Sequence, residues 1–115
     1  MEDCLFCKIV NKEIPSSIVY EDDEILAFKD INPVAPVHIL VVTKKHLESI
    51  KNIKKEDEIL IGRIFTVINN IAAEQGIADS GYRVVTNSGR DSGQEVKHLH
   101  FHIIGGKELG SKICK

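Results

Sequence analysis

Three histidines recur at every second position of the stretch KHLHFHII: His98, His100 and His102, with Leu99, Phe101, Ile103 and Ile104 between and after them. Imidazoles at this spacing suit metal ligation, general acid–base chemistry, or nucleophilic attack with a covalent adduct. The bland alternative is a polar outer face, but three of only five histidines in one register argue for a site. On a regular strand alternate side chains share a face about 6.8 Å apart, so the outer two lie about 13–14 Å apart and cannot share one ion. Just upstream, TNSGRDSGQEV supplies Gly89, Gly93 and several backbone N–H groups. Small residues let amides approach a phosphate without obstruction. The loop is neither a GxxxxGK(S/T) nor a GxGxxG motif. Beside a nucleophilic histidine it points to phosphoryl or nucleotidyl chemistry.

At the other end of the chain, Cys4 and Cys7 form a C-x-x-C pair. A redox role finds no support, because no strand precedes the pair and no thioredoxin-like context surrounds it. A metal site needs two further ligands. Cys114 reads as incidental.

These groups need elements to hold them. Pro15 in KEIPSS fixes its own φ and pushes Ile14 towards extended geometry, which makes a turn. IVYEDDEILAFKD reads as two short strands around an acidic turn at Asp22 and Asp23. After INPVAP, the β-branched run Val37–Thr43 reads as a central strand buried on both faces. From Glu56 to Gln75 the apolar residues Leu60, Ile61, Ile64, Phe65, Ile68, Ile71 and Ala72 follow a helical period, and Ile59 and Val67 widen the face. A face this broad can serve two surfaces, the sheet and a partner subunit. Gly76 is a plausible helix stop. Tyr82–Asn87 and His98–Ile104 read as the last two strands, with Leu99, Phe101 and Ile103 facing the core. The order β-β-β-α-β-β with hairpin-type connections predicts an α+β domain with an antiparallel sheet.

A length of 115 residues suits one domain that buries a core without disulfides. Charged residues make up 28% and the net charge is −2, so no long nucleic-acid track is expected. The lysines from Lys51 to Lys55 run into acids at once and read as a solvated helix start. No apolar run approaches the roughly 20 residues of a membrane span. The start MEDCLFCKIV lacks the features of a secretory signal, and an odd cysteine count argues against a disulfide framework. A cytoplasmic location is expected.

HLHFHII fits the pattern His-φ-His-φ-His-φ-φ, where φ is apolar, and so resembles the histidine-triad (HIT) nucleotide hydrolases and transferases. The likeness covers nearly the whole chain. CLFCKIVNKEIPSSIVYEDDEILAFKDINPVAPVHILVVTKKH is similar to the N-terminal half of the Hint-type branch, and NSGRDSGQEVKHLHFHIIGG to its C-terminal half. Strand order, the upstream PVHILVVTKKH and the downstream GG all agree.

The resemblance implies a single HIT domain over residues 1–115 with an antiparallel five-stranded sheet, one long helix and a short helix, dimerising into a larger sheet. It implies cleavage of purine nucleoside phosphoramidates, of AMP-amine or AMP-lysine type, through a nucleotidyl-histidine. His100 would be the nucleophile, His102 would contact phosphate oxygens, and His38 would hold the orientation and proton network. Asp30 would accept from the ribose hydroxyls, with Ile31 beside the base. Asn87, Gly93, Gln94 and Glu95 would line the phosphate side through side chains or amides. Some family members bind a structural zinc through residues matching Cys4, Cys7, His46 and His98. Two thiolates and two imidazoles suit tetrahedral Zn²⁺, and with no open position the ion would be structural. The chemistry itself requires no metal.

The alternatives are a Fhit-type dinucleoside polyphosphate hydrolase and a non-catalytic, zinc-stabilised nucleotide-binding domain. The short chain and the cysteine pair favour the Hint-type reading. Two departures bear on the leaving group. Glu95 stands where many Hint-type members carry Ser or Thr, and an ionised carboxylate cannot donate and repels phosphate. It either points away or favours a basic leaving group such as a lysine amine. The C-terminus GGKELGSKICK also lacks the tryptophan-containing tail of well-known members.

Overall fold

The computed structural model describes residues 4–111, so Cys114 lies outside the described residues. A short helix α1 (Leu5–Val10) leads into strands β1 (Ile18–Glu21), β2 (Ile25–Lys29) and β3 (Val37–Thr43). Helix α2 (Glu58–Glu74) then crosses to β4 (Tyr82–Val85), and β5 (His100–Gly105) closes the order. The five strands form one antiparallel sheet, arranged β1-β2-β3-β5-β4. The histidine strand is therefore inserted between β3 and β4, near the middle of the fold. Among the described residues no helix is long and apolar enough to cross a membrane.

Alternation along the central strands builds two cores. Ile25, Ala27, Ile39, Val41, Phe101 and Ile103 face α2 and pack on Leu60, Ile64, Val67, Ile68, Ile71 and Ala72. Leu26, Phe28, Leu40 and Val42 face the other way and pack on Phe6 and Ile9 of α1. His100 and His102 alternate with Phe101 and Ile103, so they share this second face with α1. That explains why β3 is buried on both sides, as its run of branched residues predicts.

Three expectations need adjustment. The long helix begins at Glu58, because Lys55–Asp57 forms a 3₁₀ turn in which the Asp57 carboxylate accepts from the Lys54 N–H at 3.0 Å. Its end is as expected: Gly76 has φ +74, and the Gly76 and Ile77 amides bond back to Ala73 and Ala72 at 3.2 and 3.0 Å. The broad apolar face divides: Leu60, Ile64, Val67, Ile68, Ile71 and Ala72 are buried, while Phe65 is 48% and Ile59 82% exposed. Lastly, β5 begins at His100 and not at His98. Backbone bonds from His98 to Val96 (2.9 Å) and from Leu99 to Leu47 (2.6 Å) replace the ladder there. The fourth strand likewise stops at Val85, and the Thr86 hydroxyl donates to the His100 carbonyl at 2.7 Å.

Candidate active site and metal cluster

The bend that precedes β5 turns His98 away from its neighbours' task. Its Nε2 donates to the Thr43 carbonyl at 2.7 Å, since a carbonyl only accepts. The lone pair is therefore on Nδ1, which lies 3.2 Å from Cys4 Sγ and 3.5 Å from Cys7 Sγ. His46 Nδ1 lies 3.2 Å from Cys7 Sγ. These four ligand atoms all lie within 4.8 Å of one another, drawn together from α1, the segment after β3 and the bend before β5. Burial and the adjacent Cys4 sulfur push the Cys7 thiol up to about 11. Partial burial beside a second sulfur disfavours the Cys7 thiolate, and a bound divalent ion reverses that preference. Donor types, spacing and the Thr43 hydrogen bond all fit a soft divalent ion.

The next histidine is set differently. His100 is 7% exposed and its Nδ1 donates to the His98 carbonyl at 2.6 Å. That bond fixes the tautomer and leaves the lone pair on Nε2. Phe6 packs edge-on against the ring, with centroids 4.9 Å apart. Burial holds the His100 pKa below the ordinary histidine value, against the opposing pull of the His98 carbonyl and of Asp30. A neutral imidazole with a lone pair on Nε2 is the form that can act as a nucleophile.

His102 belongs to a chain of donors that starts at the backbone. The Val34 N–H donates to His38 Nδ1 at 3.1 Å, so the His38 proton is on Nε2. That Nε2 donates to His102 Nδ1 at 2.9 Å, which leaves the His102 proton on its own Nε2. Asp30 Oδ2 lies 3.4 Å from His38 Nε2. Burial above all, then the neighbouring His100 and His38, pulls the His102 pKa down to about 4. Asp30, His38 and His102 also place three ligand atoms within 4.8 Å. Here, however, His38 presents a proton where an ion needs a lone pair. The same residue types thus make a metal-ready cluster at one end of the strand and a proton chain at the other.

A cleft of about 280 Å³ opens on this face, lined by Phe6, Asp30, Leu40, Asn87, Val96 and the two strand histidines, with Gly93 and Glu95 on its loop side. The HIT domain family model matches residues 11–109. The purine nucleoside phosphoramidase of Escherichia coli K12 is 46% identical over 113 residues, covering 98% of this chain and 95% of that protein. The chain belongs to the HIT family. Among solved structures, a HIT family hydrolase from Clostridium thermocellum superposes with a TM-score of 0.96 at 46% identity, with 98% of each chain covered. A histidine triad protein from Clostridium difficile gives 0.94 at 55% identity, again with 98% of each chain covered.

Within this HIT fold the residues singled out in the sequence divide. Asp30, Asn87, Gly93, Glu95, His100 and His102 meet at the cleft, with His38 directly behind His102. Cys4, Cys7, His46 and His98 form the separate cluster. Ile31 is 89% exposed and outside the cleft. The Gln94 side chain is committed to the loop: it accepts from the Gly89 N–H at 2.8 Å and donates to the Glu48 and Val96 carbonyls at 2.6 and 2.9 Å. It braces the wall of the cleft without lining it. Sequence reasoning passed over two contributors. Phe6 looks like an ordinary core residue, and its place between two cysteines was the only hint. Thr43, the anchor of His98, gave no signal at all.

Proposed function

We propose that the chain is a nucleotide hydrolase of the HIT type that cleaves purine nucleoside phosphoramidates, of AMP-amine or AMP-lysine type. The observation that carries this is the 2.6 Å bond from His100 Nδ1 to the His98 carbonyl, which leaves Nε2 as a neutral nucleophile in a ring that lines the cleft. His100 Nε2 attacks the α-phosphorus, the P–N bond breaks, and the amine leaves with a proton taken up from solvent. Water then attacks the nucleotidyl-histidine, releasing AMP and regenerating the imidazole. The His102 Nε2–H, aligned through His38 and the Val34 amide, stabilises the phosphoryl oxygens. Asp30 accepts from the ribose, and Asn87 with the Gly93–Glu95 backbone contacts the phosphate. The exposed Glu95 carboxylate suits an amine leaving group, since it can accept from an N–H and cannot donate to an oxyanion. The name of the E. coli relative points the same way.

Two further properties belong to this reading. The ion held by Cys4, Cys7, His46 and His98 is a structural Zn²⁺, supported by a donor set of two thiolates and two imidazoles; such a thiolate site suits the reducing cytoplasm. The protein is a homodimer, supported by the unpaired edge of β4 and by the exposed Phe65 and Ile59 on α2.

The test is a substrate panel on wild type and His100→Ala. Adenosine 5′-phosphoramidates should be turned over by wild type with higher kcat/KM than dinucleoside polyphosphates. The variant should lose turnover while AMP affinity stays within about an order of magnitude, since the side chain acts mainly in the transition state. Full activity in the variant, or a preference for the polyphosphates, overturns the proposal.

A further inference from the structure

The metal cluster and the nucleophile are not independent parts of this fold. They share one turn of helix. α1 has only six residues, and a helix that short does not persist in water without tertiary support. Its support is at both ends of one turn. At its start the Cys4 sulfur accepts from the Cys7 N–H at 3.3 Å, so the same atom caps the helix and faces the cluster. Between the two cysteines stands Phe6, 4% exposed, whose ring meets His98 at 6.0 Å, Phe28 at 5.6 Å and His100 at 4.9 Å, all edge-on. Phe6 also lines the nucleotide cleft. Resting on the nucleotide-hydrolase reading above, we propose that Phe6 is a positioning residue that couples occupancy of the Cys4–Cys7–His46–His98 cluster to nucleotide binding at His100. When the cluster holds its ion, two of the four ligands pin the first turn of α1, and Phe6 closes one wall of the cleft against the nucleophile. When the ion leaves, the turn keeps its cap but loses its anchor to His46 and His98, and Phe6 no longer confines the His100 ring.

Coupling of this kind is reciprocal: an ion that favours nucleotide binding is itself held more tightly by the nucleotide-bound protein. The experiment uses the full chain loaded with Zn²⁺ or stripped by a chelator, as wild type, Phe6→Ala and Phe6→Tyr, with AMP as the ligand. In wild type, stripping should weaken AMP binding about tenfold, within the usual range for coupled sites, and should abolish hydrogen-exchange protection over Leu5–Val10. Loaded Phe6→Ala should keep its Zn²⁺ at one ion per chain, bind AMP weakly, and show no further loss on stripping. Phe6→Tyr should restore the dependence. A second measurement works even if the stripped protein unfolds. AMP should slow the extraction of Zn²⁺ by a chelator from wild type and from Phe6→Tyr, but not from Phe6→Ala. A cluster that merely stabilises the fold predicts otherwise, namely the same effect of stripping and the same protection by AMP in all three proteins. That result overturns the coupling, as does unchanged AMP affinity in stripped wild type. If AMP binds to none of the proteins, both this inference and the nucleotide reading fall.

Discussion

Lowering the pH should destabilise this protein, and the share that belongs to one side chain can be isolated. His102 has a folded pKa near 4, against about 6.5 in an unfolded chain. The folded state therefore holds this ring neutral where the unfolded state binds a proton. Stability from His102 is fully present above the unfolded value and is lost as the pH falls from about 6.5 through about 4. At pH 4 the unfolded imidazole is almost wholly protonated and the folded one about half. At about 1.36 kcal/mol per pH unit, the loss between pH 7 and pH 4 comes to about 3 kcal/mol. That is a large share of an ordinary folding free energy of about 5–15 kcal/mol. The geometry says what breaks. A second proton would go to His102 Nδ1, where it meets the proton that His38 Nε2 already presents at 2.9 Å.

The assay is urea unfolding at pH 7 and pH 4 for wild type and His102→Gln, at one protein concentration so that association does not shift the midpoint. The chain has no tryptophan, so far-ultraviolet circular dichroism is the signal. Titration of the other groups also changes stability in acid, but it is common to both proteins and cancels in the difference. The expected result is a variant that loses about 3 kcal/mol less than wild type between the two pH values. Equal losses would refute the reasoning, because His102 would then titrate alike in the folded and unfolded chains.

Four other outcomes follow from the same geometry. Asp30→Asn should weaken AMP binding about tenfold, the ordinary cost of exchanging a charged acceptor for a neutral one, as read by calorimetry. Glu95→Ser should raise kcat/KM about tenfold for substrates that expel an oxygen leaving group, by restoring a donor where a carboxylate stands, with a smaller change for amines. Phe65→Glu should make the protein monomeric in sedimentation, since that half-exposed ring packs edge-on against Phe101 with centroids 5.7 Å apart and leaves its other side open on α2. Gly106→Ala should lower stability by about 1–3 kcal/mol, because Gly106 has φ +91 and a new Cβ would lie 3.0 Å from the Pro36 Cβ; thermal unfolding reads the effect.

The histidine strand shows how much of a site a sequence carries. The period of two placed His100 and His102 on one face and Phe101 and Ile103 in the core, and the fold agrees. The same period put His98 on the strand, where it is not. The break is made by a tight turn from the His98 amide to the Val96 carbonyl at 2.9 Å and, at long range, by the Leu47 carbonyl taking the Leu99 amide at 2.6 Å, which no local pattern marks. The face that His100 and His102 share is covered by α1, a six-residue helix whose two inward residues, Phe6 and Ile9, are too few to give a periodic signal.

Composition is least able to foretell the difference between the two clusters. Each holds two imidazoles and at least one further metal-ligating side chain within 4.8 Å, so residue type assigns both to metal. One backbone contact in each cluster separates them. The Thr43 carbonyl takes the proton of His98 and turns a lone pair towards the cysteines. The Val34 amide takes the lone pair of His38 and turns a proton towards His102. Reversing either contact would reverse the chemistry, with no change in any side chain of the two clusters. The identity of the site therefore resides in which backbone groups the strand ends and the Pro33–Pro36 loop bring to the outer edge of each ring.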